Sequence, residues 1–192
     1  MLIRSQRLSM QTVEERELLV ELRKPENKEA AFATLIRAYQ ESLYYHIRRI
    51  VISHDDADDV LQNALLKAWR NLDKFRAEAS IKTWLYRIAT NESLTFLKQR
   101  QKRSFQDIED LQNDLRHSLS HGPYIDGEEI QMKLQHAILR LPERQRLVFN
   151  MRYFEEMKYD EISQVLEVSV GSLKASYHHA VKKIEHSLKT QQ

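Results

Sequence analysis

The chain has 192 residues, of which 42% are hydrophobic and 30% are charged, and its formal net charge is only +2. This length and balance suit one medium domain or two small folded domains and exclude a disordered polymer. The chain has no cysteine, which excludes a disulfide framework and a thiolate metal site. It has only 3 glycines and 3 prolines, few for a β-rich protein with many turns, so the composition favours helices.

No stretch of the sequence has the apolar length of a membrane span, about 18 residues or more. The first residues, Met1 to Arg7, contain no apolar core of signal-peptide length. We therefore expect a cytoplasmic protein without membrane insertion. Because the net charge is small, any attraction to nucleic acid must come from where the charges lie.

Apolar residues spaced three and four positions apart predict two helices at the start of the chain. The first is predicted from Thr12 to Lys24, where Pro25 interrupts the pattern. The second is predicted from Lys28 to Ile52. Its inward-facing residues are predicted to be Ala31, Phe32, Leu35, Ile36, Tyr39, Leu43, Ile47 and Ile50 or Val51.

A third helix is predicted from Asp55 to Leu72, capped by Ser53 and with aspartates in its first turn, where the helix dipole favours negative charge. Its buried stripe is predicted to be Ala57, Val60, Leu61, Ala64, Leu65, Ala68, Trp69 and Leu72. The outer face carries Asp58, Asp59, Gln62, Asn63, Leu66, Lys67 and Arg70. The leucine on that face is either an ordinary exposed leucine or the anchor of a docking face for a basic partner helix.

A short loop leads to a fourth helix that Ser80 is expected to cap. Its buried stripe is predicted to be Ile81, Trp84, Leu85, Ile88, Ala89 and Phe96. Residues predicted to be left to solvent are Arg76, Lys82, Tyr86, Arg87, Asn91, Lys98, Arg100, Lys102 and Arg103. Cations interleaved with aromatic and amide side chains suit a nucleic-acid strand, and a merely solvated basic face is the alternative.

The composition changes between Ser104 and Gly127. This segment holds five acidic residues against one arginine, together with two glycines and a proline. Three leucines at helical spacing allow a short helix within it. We predict a mobile acidic linker over residues 104–127, between an N-terminal domain of residues 10–103 and a C-terminal domain of residues 128–190.

Four helices are predicted in the C-terminal domain: Glu128 to Arg140, Arg144 to Phe154, Tyr159 to Leu166, and Val170 to Leu188. The last two are separated by a three-residue turn, which is helix-turn-helix spacing, although ordinary helical hairpins can mimic it. Ser169 is predicted to cap the final helix, and Gly171 leaves its first turn without a side chain. The residues predicted to face outward are Ser172, Lys174, Ala175, Ser176, His178, His179, Lys182 and Lys183.

Four runs together resemble one family. The first two are DDVLQNALLKAWRNL at residues 58–72 and FRAEASIKTWLYRIATN at residues 75–91. They are similar, in order and spacing, to the polymerase-binding and minus-ten-reading segment of sigma-70 factors of the extracytoplasmic-function type. The other two, LPERQRLVF from Leu141 and DEISQVL from Asp160, resemble the minus-thirty-five-reading domain of the same family. The resemblance implies an all-α fold with two helical domains joined by a flexible linker.

The resemblance also implies roles for individual residues. Binding to the beta and beta-prime subunits of core RNA polymerase is expected from Asp58, Asp59, Gln62, Asn63, Leu66 and Arg70. Reading of minus-ten promoter DNA is expected from Phe75, Arg76, Lys82, Tyr86, Arg87, Asn91 and Lys98. Reading of the minus-thirty-five element is expected from Ser169, Gly171, Ser172, Lys174, Ala175, His178, His179 and Lys182.

The family further implies an anti-sigma protein as partner, and a linker that runs through polymerase near the RNA path. Relatives often carry an acid where this chain has Asn63, and arginines where it has Ser176 and His179. These departures concern the docking charge and the promoter sequence read.

Other classes of function fit the residues poorly. There is no glycine-rich phosphate loop and no nucleophile elbow, so we expect no catalysis and no cofactor. His178 and His179 point about 100° apart on a helix and do not easily share one ion, so no metal site is expected. The alternative is a helix-turn-helix regulator that acts without core polymerase and binds a palindromic duplex by itself.

Overall fold

The computed structural model describes residues 12–77, 79–103 and 129–190, and the regular elements in those ranges are all helical. The N-terminal helices are α1 (Thr12–Glu21), α2 (Lys28–Val51), α3 (His54–Asn71) and α4 (Ile81–Arg103), with a 3-10 turn at Leu72–Lys74. The C-terminal helices are α5 (Glu129–Leu139), α6 (Glu143–Tyr153), α7 (Tyr159–Leu166) and α8 (Val170–Lys189). The predicted all-α class is confirmed.

The predicted helices are present, and their ends differ by at most a few residues. α1 ends at Glu21 instead of Lys24, because the following residues form turns with their own hydrogen bonds, such as Lys24 N to Glu21 O at 3.1 Å. α7 has the predicted limits. The linker predicted for residues 104–127 lies outside the described residues, and the domain limits stay predictions.

The N-terminal core forms where the apolar stripes of α2, α3 and α4 meet. Each stripe follows the 3.6-residue period of a helix, so packing three helices together removes all three from water. The most deeply buried aliphatic residues here are Leu35, Leu43, Ile47, Val60 and Ile81. Burying a large side chain of this kind stabilises the fold by about 1.5–3 kcal/mol. Leu18 of α1 and Leu22, in the turn directly after it, join the same core.

Serine side chains cap three of the helices, as the sequence predicted. Ser80 Oγ accepts a hydrogen bond from the Thr83 backbone N–H at 3.1 Å at the start of α4. Ser53 and Ser169 accept from the third residue of α3 and α8, each at 3.4 Å. Each cap satisfies one of the amide groups that the first turn of a helix leaves without a partner.

The C-terminal helices have two apolar contacts. α5, α6 and α8 share a small core whose buried members are Ala137, Ile138, Leu141, Phe149, Ala180 and Ile184. α6, α7 and α8 contribute a second set to the main core: Leu147, Val148, Met151, Met157, Ile162, Val165 and Leu173. The second set is continuous with the N-terminal core, so the two groups of helices pack together.

This packing places α7 along α4 and α6 against α2. The sequence predicted the two groups and left their arrangement open. The contact also overturns a prediction about exposure. Tyr86, predicted to be left to solvent, is 1% exposed, because the segment between α6 and α7 covers it. Arg100, also predicted to be solvent-exposed, is partly covered and donates to Asp56 Oδ2 at 2.8 Å.

The capping serine of α4 gives a test of local stability. We expect Ser80→Ala to lower the free energy of unfolding by about 1 kcal/mol, because the Thr83 amide loses its acceptor. The measurement is urea unfolding followed by circular dichroism. Ser80→Asp, which keeps a capping oxygen, is the matched control and is expected to stay within a few tenths of a kcal/mol of the parent. Equal losses in both variants would contradict the capping role.

Candidate polymerase-binding and DNA-binding surfaces

The predicted polymerase-binding residues form one surface on α3. All six are exposed, and they are Asp58, Asp59, Gln62, Asn63, Leu66 and Arg70. At about 100° per residue they occupy one side of the helix. Leu66 is 53% exposed, so the apolar side chain at the centre of this acidic and amide-rich surface is open to a partner.

Trp69 enlarges the apolar part of this surface. The sequence placed it in the buried stripe, but its indole is 37% exposed. One side of the ring packs against Phe32, with ring centroids 4.9 Å apart, and Lys28 Nζ lies 5.4 Å from the ring centroid. Trp69 lies one helical turn from Leu66, at the edge between the buried stripe and the outer face of α3. The helical period does indicate this partial exposure, because a residue at the edge of an apolar stripe is covered on one side only.

Charged and polar side chains near the start of α3 contact one another at the protein surface. His54 Nδ1 lies 3.5 Å from Asp58 Oδ2 and 2.6 Å from the Tyr44 hydroxyl. Burial raises the pKa of Tyr44, and the negative charge of Asp58 adds to the effect, so the phenol stays neutral near pH 7. Among the described residues, Asp59 has no ion-pair partner. Its carboxylate therefore remains available to a basic partner.

The predicted minus-ten residues fall into two groups on and before α4. Phe75, Arg76 and Lys82 lie at its N-terminal end, where Phe75 packs on Trp84 with ring centroids 5.3 Å apart. Lys82 Nζ lies 5.7 Å from the centroid of the Tyr86 ring.

The second group is a stripe along the side of α4. Arg87, Asn91 and Lys98 are exposed and lie within about 40° of one another around the helix. Tyr86 belongs to neither group in this arrangement. Its hydroxyl donates to Glu155 Oε2 at 2.7 Å in the interior, so it does not face a DNA strand here.

The helix-turn-helix consists of α7, a turn, and α8. The turn passes through Glu167, whose φ of 55° is left-handed, and this reverses the chain direction between the two helices. Ser163 Oγ donates to Val168 O at 2.7 Å and fixes the turn to α7. Leu173 and Ala180 anchor α8 on its inner side.

The outer side of α8 carries the predicted minus-thirty-five residues. Exposed among them are Ser169, Gly171, Lys174, Ala175, His178, His179 and Lys182. Ser172 is partly buried, and its hydroxyl accepts from Arg144 Nη2 at 2.8 Å. A Cβ added at Gly171 meets nothing within 4 Å, so packing within the chain does not require glycine there.

Two arginines that the sequence reading left unassigned lie beside this face. Arg144, exposed at the start of α6, reaches the first turn of α8 through Ser172. Arg152 Cζ and Lys174 Nζ lie 5.4 and 5.9 Å from the centroid of the Tyr159 ring. Neither position was detectable from periodicity, because α6 precedes the helix-turn-helix in sequence and joins α8 only after folding.

The aromatic residues next to Arg152 form an open cleft. Its lining consists of Arg152, Tyr153, Glu156, Tyr159 and Tyr177, around about 470 Å³. Burial raises the pKa of Tyr177, and the neighbouring Tyr159 adds a smaller effect in the same direction, so this ring presents a neutral hydroxyl.

Neither a metal-binding cluster nor a membrane-spanning helix is found in the part of the chain that the structure describes. Within residues 12–77, 79–103 and 129–190, no three histidine or acidic side chains cluster in a way that would hold an ion. The rings of His178 and His179 are 6.0 Å apart at 58°. No helix in these ranges is long and apolar enough to cross a membrane.

Comparison with known families matches both halves of the chain. Residues 35–103 match the Sigma-70 region 2 family, and residues 131–184 match the Sigma-70 region 4 family. These spans contain α3 with α4 and the helix-turn-helix, respectively. The presence of both on one chain disfavours a helix-turn-helix regulator that acts without polymerase.

Curated relatives are similar over nearly their whole length. The RNA polymerase sigma-H factor of Pseudomonas aeruginosa is 32% identical over 93% of this chain and 96% of its own. The ECF RNA polymerase sigma-E factor of Haemophilus influenzae is 30% identical over 82% of this chain and 87% of its own. The ECF sigma factor SigW of Bacillus subtilis is 26% identical over 83% of this chain and 89% of its own.

Solved structures share the fold. The sigma factor RpoE in its complex with the anti-sigma factor NepR, from Bartonella quintana, superposes with a TM-score of 0.64 at 21% identity, over 84% of this chain and 98% of that one. CnrH in complex with the cytosolic domain of CnrY gives 0.67 at 20% identity, over 93% of this chain and 99% of that one. With both region matches, the whole-length relatives and the shared all-α fold, the chain belongs to the sigma-70 family of RNA polymerase sigma factors, in its extracytoplasmic-function branch.

Proposed function

We propose that this sigma factor divides promoter-specific initiation among three of its own surfaces. The outer face of α3 binds core polymerase, the loop before α4 and the stripe on α4 take minus-ten DNA, and α8 reads the minus-thirty-five element. The observation that carries the proposal is that one folded chain holds an acidic face with an exposed leucine and two separate basic faces. It acts by binding, without catalysis of its own, in the cytoplasm.

Docking on polymerase uses α3. An exposed leucine surrounded by acids and amides has the composition of an interface hot spot, in which an apolar anchor is enclosed by polar contacts that exclude water. Asp58 and Asp59 complement a basic partner surface on the beta-prime subunit, and the beta subunit completes the binding to core. Trp69 extends the anchor, since its exposed edge adjoins Leu66.

The minus-ten surface captures single-stranded bases. Turning a base out of a duplex costs a few kcal/mol. Stacking it on a protein platform returns about 1–3 kcal/mol per base. The chain therefore holds one or two extruded bases, between the Phe75 loop and α4, and core polymerase supplies the remainder of the opening. Arg87, Asn91 and Lys98 follow the strand along α4.

The minus-thirty-five surface binds duplex DNA in the major groove. Lys174, in the early part of α8, reaches base edges, and Gly171 lets the backbone approach a phosphate. Lys182, later in the helix, meets a phosphate, and so does Arg144 beside the helix start. With so few long donors, this surface alone binds weakly and with strong salt dependence.

An anti-sigma protein is a further proposed partner. A sigma factor of the same fold, RpoE, forms a complex with the anti-sigma factor NepR, and CnrH, which also has this fold, forms a complex with the cytosolic domain of CnrY. The exposed apolar residues on α3 offer this chain a comparable opportunity for a competing protein. Such a partner would block polymerase by covering Leu66.

Run-off transcription with purified core polymerase on genomic fragments tests the function as a whole. We expect new, discrete transcripts only when both core and this chain are present. Tight, specific operator binding by the isolated chain, with no transcripts from the mixture, would support the regulator that works without polymerase.

Leu66→Arg tests the docking face. We expect it to weaken binding to core polymerase by about 30-fold or more, because removal of a hot-spot anchor costs roughly 2 kcal/mol or more. The measurement is fluorescence anisotropy of labelled sigma factor titrated with core. Val20→Arg is the matched control, since Val20 is 55% exposed on α1, and it should leave affinity unchanged. Equal weakening in both variants would remove the assignment of α3.

Lys182→Gln tests the phosphate contact of α8. With one fewer phosphate neutralised, the slope of log affinity against log salt should become shallower by about 0.9, whatever the promoter sequence. The measurement is holoenzyme binding to a labelled promoter at several salt concentrations. Lys24→Gln, which removes the same charge from a lysine paired with Glu21 far from α8 in sequence, should keep the parent slope. An unchanged slope in Lys182→Gln would contradict the contact.

A further inference from the structure

We propose that the free chain is held in a closed form by Glu155, which latches the C-terminal helices onto α2 and α4 and takes part of the minus-ten surface out of use. The regulatory consequence rests on the minus-ten function proposed above for α4, including Arg87. The latch itself depends only on contacts between described residues.

Glu155 connects three parts of the chain. It lies between α6 and α7, and its side chain has no exposed surface. Its Oε1 accepts from Arg49 Nη1 of α2 at 2.6 Å, and its Oε2 accepts from the Tyr86 hydroxyl of α4 at 2.7 Å. The partners are 106 and 69 residues away in sequence, so both oxygens of one carboxylate join the two groups of helices.

Phe154, the residue before Glu155, adds a second interaction with Arg49. The Arg49 guanidinium carbon lies 4.3 Å from the centroid of the Phe154 ring, a distance at which a cation and an aromatic face attract each other. The Arg49 side chain is only 10% exposed. The latch is therefore shielded from salt and water on both sides.

A buried carboxylate of this kind suits a reversible contact. Inside the interface it requires both of its partners, because an unpaired charge there is very unfavourable. When the helices separate, water hydrates the charged groups of Glu155 and Arg49, so neither is left unpaired in an apolar environment. The free-energy difference between the closed and open forms is consequently smaller than it would be for a purely apolar contact of the same size. Removal of either Arg49 or Glu155 alone shifts the equilibrium strongly towards the open form.

The closed form affects the proposed surfaces unequally. Tyr86 is inaccessible, and Arg87 Nη2 lies 3.3 Å from Glu167 in the turn of the helix-turn-helix. By contrast, Leu66 on α3 and Lys174 on α8 are exposed. Core polymerase can thus dock on α3 while the latch is closed, and full use of α4 follows only after opening.

The absence of native cysteines allows a direct measurement of closure. Donor and acceptor dyes on Gln40→Cys and Glu185→Cys, both exposed, report the distance between α2 and α8 in the full-length chain. We expect one high-transfer population for the free chain. Glu155→Gln is expected to raise the low-transfer fraction at least about tenfold. Glu156→Gln, an exposed neighbour with the same chemistry, is the matched control and should leave transfer unchanged.

A paired variant separates opening from damage to the fold. Arg49→Met with Glu155→Leu, made in a Tyr86→Phe background so that no buried hydroxyl loses its acceptor, replaces the charged pair by apolar side chains. We expect this variant to restore high transfer, since such replacements are tolerated when both charges are removed together. Helix content by circular dichroism should be equal in all variants. Unchanged transfer in Glu155→Gln, or failure of the paired variant to close again, would overturn the latch.

Affinity of the full-length chain for a labelled single-stranded DNA oligonucleotide tests the regulatory part. Glu155→Gln should bind this strand more tightly than the parent, in proportion to the loss of the closed population, because the form with α4 free for the strand is then already present. Opening without tighter binding would overturn the inhibitory role and leave the latch standing. The transfer measurement uses neither DNA nor polymerase, so its result is independent of the transcription test of the proposed function.

Discussion

Burial of α4 is the constraint on which the rest of the molecule depends. The N-terminal helices α2 and α3 pack against α4, and α7 of the C-terminal group packs against it as well, so α4 is enclosed on several faces. Ile81 and Leu85 of α4 are apolar and are buried without needing a hydrogen-bond partner. Thr90 and Ser93 are also fully buried, and their hydroxyls donate to the carbonyls of Tyr86 and Ala89 within the helix, at 2.7 and 2.8 Å. Polar side chains satisfied in this way can occupy a buried position without an exposed partner. The exposed part of α4 that was proposed above to follow the minus-ten strand is one narrow stripe.

Features that depend on local sequence were predictable. The serine caps of α3, α4 and α8 follow from the chemistry of a single turn, and the structure has all three. The exposed Leu66 follows from its phase on α3, and the limits of α7 follow from a short apolar period bounded by turn residues. These predictions succeeded because each needs only neighbours within a few positions.

Tyr86 shows why the remainder could not be predicted. Its position on α4 is outside the aliphatic stripe, so periodicity alone assigned it to solvent. It is buried in the main core, where its ring packs against His46 of α2 and its hydroxyl donates to Glu155. Glu155 is 69 residues away and lies between α6 and α7, so the helical period of α4 contains no sign of this contact. The same holds for Arg144, which joins the face of α8 through Ser172 only in three dimensions. Contacts at such separations depend on how the two groups of helices pack, and a helical period carries no information about that.

The small net charge of the chain results from acidic and basic residues that lie on different surfaces. Acids dominate the outer face of α3, whereas the stripe on α4 and the outer face of α8 are basic, so opposite charges lie on separate surfaces, as the proposed division between polymerase and promoter DNA requires. Each basic surface has few cations and binds weakly alone, and joining both to one chain makes the second contact intramolecular, with a large gain in joint affinity. On the proposed assignment, promoter choice then depends on the coincidence of two weak interactions. A contact that occupies part of one of the two surfaces, as the proposed Glu155 latch does on α4, therefore weakens binding by the pair, because neither surface binds strongly without the other.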